Sequence, residues 1–277
     1  AGDLGTKSMS NSSIPEPQIL YPDGPHWPSI LDGIASPPEK LWVSGILAPE
    51  RASIAIVGSR RASTSGLRIS FEVAAELTRA GFRVVSGLAH GIDRAALEGA
   101  LHGGGQPLAL LGNGLPAIYP AANRDLAAKI ITAGGSLVTE YKPGTPPRRG
   151  NFPRRNRLIS GWSLGVILVE AAIKSGSMGT ARHALEQGRE IFAFPGSVEG
   201  GRNDGCHVLI QDGAYLVTGA DEILEIFAGL GPKRTSSDDG KKLEQLAREH
   251  GPDLDQLLEV TGWSPVRLLK AWSHCDF

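Results

Sequence analysis

A chain of 277 residues with 41% hydrophobic content is long enough to bury one large core and leave a small appendage. The two cysteines, Cys206 and Cys275, stand far apart with no CxxC or Cys/His spacing, which argues against a disulfide framework and a structural zinc site. The net charge is −1, no apolar run reaches membrane-spanning length, and the opening Ala1 to Ser13 is small and polar, so neither a bilayer span nor a secretory signal is expected and a reducing, cytoplasmic compartment fits.

Residues 1–17 read as a disordered or added segment. Tyr21 to Glu50 is rich in proline and reads as an irregular lead-in carrying Trp27 and Trp42 and ending in a short strand, Leu41 to Val43. From there, β-branched apolar runs alternate with amphipathic stretches. Strands are predicted at Ser53 to Val57, Arg83 to Ser86, Pro107 to Leu111, Ser136 to Thr139, Gly165 to Val169 and Ile191 to Phe194. Helices are predicted between them at Ser65 to Ala80, Ile92 to Leu101, Ala122 to Ala133 and Thr180 to Gln187. This alternation predicts an α/β domain over 18–228, an extended Rossmann-like parallel sheet with helices on both faces. The first helix shows the pattern: Ile69, Val73, Ala74 and Leu77 share one face, Ser65 is placed to cap it and Gly81 to stop it.

Residues 229–240 (GLGPKRTSSDDG) have linker composition. Three short helical patterns follow, at Lys241 to Glu249, Leu254 to Thr261 and Ser264 to Trp272. Together they predict a C-terminal helix-turn-helix-like unit over 241–277, an incomplete winged helix whose last helix carries few bases.

The charge is segregated along the chain. Arg51, Arg60, Arg61 and Arg68 fall in a stretch with no acid up to Phe71, and Lys142, Arg148, Arg149, Arg154, Arg155 and Arg157 fall in another between Tyr141 and Val169. The remainder is correspondingly acidic, so these two segments are the places where a polyanion would be attracted.

The first basic segment holds a glycine- and hydroxyl-rich turn, Gly58-Ser59-Arg60-Arg61, between a strand and the helix that follows it. Backbone amides at such a helix start, with Arg60 beside them, form a candidate anion site. It is not the dinucleotide fingerprint: Ser59-Arg60 stands where a second glycine is required, and the next strand ends at Ser86-Gly87 rather than at a ribose-binding acid. Further glycine turns at Gly87, at Gly112-Asn113-Gly114 and at Ser175-Gly176 are expected to gather on the same sheet edge and line a groove for phosphates.

The second segment, Pro146 to Arg157, mixes bases with one aromatic. Arg148, Arg149, Arg154 and Arg155 are placed to take phosphates, with Asn151 and Asn156 between them, and Phe152 either offers a base-stacking face or fills the core. Catalytic equipment is thin. No metal-ligand or nucleophile–base spacing occurs, and His90 with Asp93 reads better as a turn followed by a helix-start carboxylate than as an acid/base pair. No cofactor or metal is expected, and the chain is not read as an enzyme. The competing class is a nucleotide-processing enzyme of phosphoribohydrolase type on the same architecture. Its PGGxGTxxE-like turn needs a glutamate soon after the threonine, where this chain runs Thr180-Ala181-Arg182-His183.

In order, IVGSRRAS (56–63), SGLAHGID (86–93), GNGL and IYP (112–120), TEYKPGTPPRRGNFPRRNRLISG (139–161), VEAAIKSGS (169–177), TARHALEQGREIFAFPG (180–196) and NDGCHVLIQDGA (203–214) resemble the motif series of the DNA-processing protein A (DprA/Smf) family. The resemblance runs from about Ile19 to Phe227. It implies binding of single-stranded DNA without turnover, a homodimer, and loading of the RecA recombinase during natural transformation. It places the family's DNA-contacting arginine at Arg60, its basic loop residue at Arg149 and its base-contacting aromatic at Phe152. His90, Leu97 and Met178-Gly179 depart from the family pattern.

Near the end of the sheet, His207, Ile210 and Gln211 fall on one face of a short helix, and Leu216 opens the strand after it. Such an edge needs a cover, which a two-fold copy of the patch would supply. By resemblance, His207, Ile210 and Leu216 support the dimer and Gln211 lies where RecA makes contact.

Overall fold

A computed structural model describes residues 14–47, 52–228, 243, 245–248, 253–261 and 268. By contact the chain divides into two compact units, Ala1–Leu230 and Gly231–Phe277.

The first unit is a nine-stranded sheet. Its strands are β1 (Gln18–Leu20), β2 (Leu41–Gly45), β3 (Ser53–Val57), β4 (Arg83–Ser86), β5 (Leu108–Leu110), β6 (Ser136–Thr139), β7 (Gly165–Leu168), β8 (Glu190–Ala193) and β9 (Tyr215–Leu216). Their order across the sheet is β1-β2-β6-β5-β4-β3-β7-β8-β9. The run from β6 to β9 is parallel, but β2 pairs antiparallel with β6 and β1 antiparallel with β2, so the sheet is mixed rather than wholly parallel. β2 contains the short strand expected at Leu41 to Val43, with prolines flanking but not interrupting it, whereas β1 is an unexpected three-residue edge strand too short to show a period.

All five residues of β3 are buried, as a strand covered on both faces requires. Ile54 and Ile56 face Val73 and Leu77 of helix α1 (Thr64–Arg79) and Ile92 and Ala96 of α2 (Ile92–His102). Ala55 and Val57 face the opposite layer with Leu158 of α4 (Asn151–Gly161) and Ala181 of α5 (Gly176–Glu186). A third apolar cluster packs Leu126 and Ile130 of α3 (Arg124–Thr132) on Ala109 and Leu137.

Helix α1 is capped by Ser63, not Ser65: the Ser63 hydroxyl accepts the Gly66 amide at 3.0 Å. It stops at Gly81, whose φ of +93° is left-handed. α1 and α2 touch at Gly99, where a methyl group would collide with the Phe71 carbonyl. The domain closes with α6 (Asp204–Gln211) and α7 (Asp221–Ile226).

The second unit is described only in part. Helix α8 (Leu254–Thr261) lies where the middle C-terminal helix was expected, and Leu243, Ala247, Leu257 and Leu268 form a small buried cluster. Of the helix expected at 241–249, residues 243 and 245–248 are described and helical; that expected at 264–272, apart from Leu268, falls outside the described residues, as does Arg51.

Candidate functional site

Parallel strands deliver the turns that follow them to one sheet edge, and the chain reverses its direction of travel across the sheet between β3 and β7. In open α/β sheets that reversal point is the crevice where ligands bind. On the β3 side lies the Gly58 turn. A methyl group at Gly58 would meet Ile92 Cγ1 at 2.7 Å and the Glu170 carbonyl oxygen at 2.9 Å, so the position is closed to larger residues. The turn is clamped from both sides, because Ser59 donates its amide to the Glu170 carbonyl at 2.6 Å and accepts the Ile92 amide at 3.1 Å. Arg60 and Arg61 are thrown outward and exposed.

The anion cradle expected at the start of α1 is already filled. Glu170, 3% exposed, accepts the Ser63 amide at 3.1 Å and the Ser63 hydroxyl at 2.8 Å, and Arg202 reaches its other oxygen at 3.3 Å. The chain's own carboxylate stands where a nucleotide phosphate would sit in a dinucleotide-binding relative of the fold. Charge available to an outside anion is therefore carried by the arginines, not by the helix start.

Asn151 to Arg157, the latter part of the second basic segment, is helical and forms the first seven residues of α4. Pro153 fits there because a first-turn residue needs no amide. The helix separates its polar residues sharply. Arg155 is 4% exposed and donates to the Gly87 carbonyl at 2.8 Å and to the Leu110 carbonyl, tying α4 to the ends of β4 and β5. Burial pulls its pKa down to about 10, against the opposing pull of Asp93. Burial pushes the Asp93 carboxyl up, countered by Arg155 and by the Ala89 and Gly87 amides. Asn156 donates to the Gly176 carbonyl at 3.1 Å, and Arg157 makes a two-pronged pair with Glu140 at 2.9 and 2.8 Å. Arg155 and Asn156, expected to face DNA, are thus buried anchors of the helix. Gly87 is buried as well, with Arg155 and Asp93 closing over it.

What α4 leaves outside is Arg148, Arg149 and Arg154 near its start. Arg154 has 68% of its side chain exposed and reaches Glu140 only at 3.7 Å. Asn151 donates to the Gly112 carbonyl at 2.9 Å and holds the first turn against the β5 end. Phe152 is half-buried and fits neither extreme of the expectation. One side of its ring lies on Gly112, where a methyl group would come within 2.7 Å of Cδ1. The Tyr119 ring stands 5.6 Å away, centroid to centroid, and the Arg60 guanidinium carbon lies 5.6 Å from the Phe152 centroid. Arg60 and Phe152, 92 positions apart in sequence, meet as one arginine–aromatic cluster.

Tyr119, 47% exposed, joins this cluster without having been singled out. Its only signal was membership of the IYP motif. Ser175 caps α5 through its hydroxyl, and Gly176 is exposed. His90 is exposed while Asp93 is buried with its oxygen on the Gly87 amide at 3.0 Å, as a turn carboxylate. Toward the β9 end of the sheet, His207 is half-buried with its ring nitrogen 3.2 Å from the Gly196 carbonyl. Ile210 packs against the core, Gln211 is exposed, and Leu216 on edge strand β9 is 53% exposed.

These features define a Rossmann-like domain whose carboxyl edge replaces the nucleotide phosphate cradle with an internal carboxylate and a rim of arginine and aromatic side chains. The chain belongs to the DNA recombination-mediator protein A family, whose model matches residues 18–228. It is 45% identical over 212 residues to protein Smf of Escherichia coli, covering 76% of this chain and 57% of that protein. It is 45% identical over 174 residues to DNA processing protein DprA of Streptococcus pneumoniae, covering 63% and 61%. The chain therefore spans a little over half the length of the curated relatives it matches. The crystal structure of the S. pneumoniae protein superposes with a TM-score of 0.72 at 38% identity, over 77% of this chain and 75% of that one. DNA processing protein A of Helicobacter pylori, described for its single-stranded DNA binding mode, superposes with a TM-score of 0.67 at 30% identity, over 76% and 95%. Among the described residues no helix is long and apolar enough to cross a membrane.

Proposed function

We propose that the chain is a single-stranded DNA-binding recombination mediator that holds incoming DNA and loads the RecA recombinase in the cytoplasm during natural transformation. The observation that carries the reading is the Arg60–Phe152–Tyr119 cluster beside the exposed Arg148, Arg149 and Arg154. Aromatic faces take unpaired bases and guanidinium groups take the phosphates between them, a combination that suits a single strand of any sequence. The strand is assigned to the groove between the Gly58–Arg61 turn and the start of α4, with Ser175 and Gly176 at its flank. Binding without turnover is the reading the Asp93 carboxylate favours, since it is buried and accepts the Gly87 and Ala89 amides as a structural turn carboxylate does. RecA and a second copy of the chain are the assigned protein partners, on the face of α6 and β9 that carries His207, Ile210, Gln211 and Leu216.

The test is a titration with fluorescent single strands at several salt concentrations, beside an assay for hydrolysis of nucleoside monophosphates. Salt-dependent, sequence-tolerant binding with no hydrolysis supports the mediator. Hydrolysis without strand binding supports the phosphoribohydrolase class instead.

A further inference from the structure

A cleft of about 560 Å³ opens between α1 and α2, and Arg60 lines it on the side that faces the Phe152 cluster. Its floor is apolar: Leu67 is 37% exposed and Phe71 half-buried, although both belong to α1, which packs its other face into the core. Its rim is basic, with Arg60, Arg61, Arg68 and Arg94. Two acids stand beside it, and each is matched: Glu72 pairs with Arg68 at 2.9 Å and Glu98 with Arg94 at 2.8 Å. Arg60 and Arg61 take part in none of the ion pairs among the described residues, so the cleft carries an excess of positive charge.

We infer that this α1–α2 cleft is a second nucleotide subsite, in which the strand that leaves the Arg60–Phe152 cluster lays one further base on Leu67 and Phe71 and its phosphate against Arg61 and Arg68. The inference rests on the single-stranded DNA reading above and extends it. An apolar floor under a guanidinium rim matches the two chemistries of a nucleotide, a flat base and an anionic linker. Arg60 is shared by both sites, so the path is continuous. Arg68 can exchange Glu72 for a phosphate at small cost, because 64% of the Arg68 and 51% of the Glu72 side chain is exposed and such a surface pair contributes little. Arg94 stays in the wall, held by the Asn123 side chain at 2.9 Å and by Glu98.

The test titrates the full chain with two oligothymidylates, roughly four and roughly twelve nucleotides long, using Leu67→Ser, Arg68→Ala and Arg60→Ala. Leu67→Ser should weaken the long strand about fivefold with an unchanged salt slope, since a lost apolar contact releases no counterions, and leave the short strand within about twofold. Arg68→Ala should flatten the salt dependence of the long strand by about 0.7 in log-log slope and leave that of the short strand as it was. Equal effects on both lengths, or none on either, overturn the subsite. So does a change in molar mass of Leu67→Ser by light scattering with DNA affinity intact, which would make the face a protein contact. Arg60→Ala separates the two layers of the argument: if it leaves even the short strand unaffected, the underlying reading fails and not merely the second subsite.

Discussion

Glu170 and Ser63 meet at the first turn of α1, the carboxylate accepting the serine hydroxyl at 2.8 Å and its amide at 3.1 Å. The residues sit 107 positions apart and close the gap between β3 and β7 at the point where related sheets open to a nucleotide. A buried anion at this helix start satisfies the Ser63 amide and repels any phosphate that approaches it.

Replacing Glu170 by Gln should therefore cost stability, about 1–3 kcal/mol for loss of charge-assisted hydrogen bonds, measured by urea denaturation. Strand affinity should stay within about twofold, because the strand's phosphates are assigned to Arg60 rather than to the α1 amides. A tightening of tenfold or more would show instead that phosphate competes with Glu170 for those amides.

Arg60→Ala and Arg149→Ala should each weaken every oligonucleotide alike and flatten the salt dependence by about 0.7 per lost phosphate contact. Phe152→Ala and Tyr119→Ala should weaken binding by about 1–3 kcal/mol per lost stacking face at nearly constant slope. Unfolding of Phe152→Ala, seen by circular dichroism, would return that ring to the core. An unchanged slope in Arg60→Ala would move the strand elsewhere.

A subtler variant acts on Phe152 without touching it. A methyl group at Gly112 would come within 2.7 Å of Phe152 Cδ1, so Gly112→Ala must displace the ring from its seat against β5. The expected result is a folded protein with strand affinity reduced about threefold to thirtyfold, part or all of one stacking contact. Native affinity in that variant would show that the ring's position does not matter to binding.

Most of the architecture was legible in the sequence because β3, β4, β6 and β7 are short, wholly buried β-branched runs and α1 and α3 carry an apolar stripe. β2 was legible as the short strand Leu41 to Val43, but β1 and the antiparallel pairing were not, since three residues of β1 show no period. The candidate site was legible in part. Arg60, Arg149 and Phe152 stood out by charge and aromaticity, and Arg60 and Phe152 do come together. Arg155, Asn156 and Arg157 carry the same residue types as their exposed neighbours, and the carbonyls of Gly87, Leu110 and Gly176 and the carboxylate of Glu140 distinguish them. Those partners lie at the ends of β4, β5 and β6 and at the start of α5, too far along the chain for any local pattern to reveal. Glu170 was quoted within a motif, yet its part in filling the α1 cradle needs the β3–β7 pairing to be seen.

Arg155→Met keeps most of the side-chain volume and removes the tie between α4 and the strand ends. The loss should be about 2–5 kcal/mol, as two carbonyls lose a buried charged donor. Its pH dependence has a definite sign. The Asp93 carboxyl is already raised above its ordinary value of 3.8 by burial, and losing Arg155 raises it further. A carboxyl with a raised folded pKa contributes fully below its unfolded pKa and loses that contribution as pH rises through the folded value. The deficit of the variant should thus be smaller near pH ~4 than near pH ~7. A deficit that shrinks toward neutral pH would show that Asp93 is not the coupled group.

The last prediction concerns assembly. β9 is the terminal strand of the sheet, paired with β8 on one side only, and Tyr215 and Leu216 on it are 44% and 53% exposed. Val208 on α6 adds another exposed apolar side chain, at 36%. An open edge with apolar residues invites a second copy, and a two-fold axis would place the same residues on both sides. Ile210 is a poor place to test this, because it packs against the main apolar cluster and a charge there would damage the fold as well as the contact. Leu216→Asp is cleaner, since the side chain already faces solvent and a like charge would meet itself across the axis. The expected product is a folded monomer at micromolar concentration that binds long strands about tenfold or more less tightly, because joining two grooves on one strand raises the effective concentration of the second. Gln211, exposed one turn from His207, should remain available to RecA in that monomer, so RecA capture should persist or improve if the two partners share this face. Light scattering that shows Leu216→Asp still dimeric, or the parent already monomeric, would place the contact on another surface.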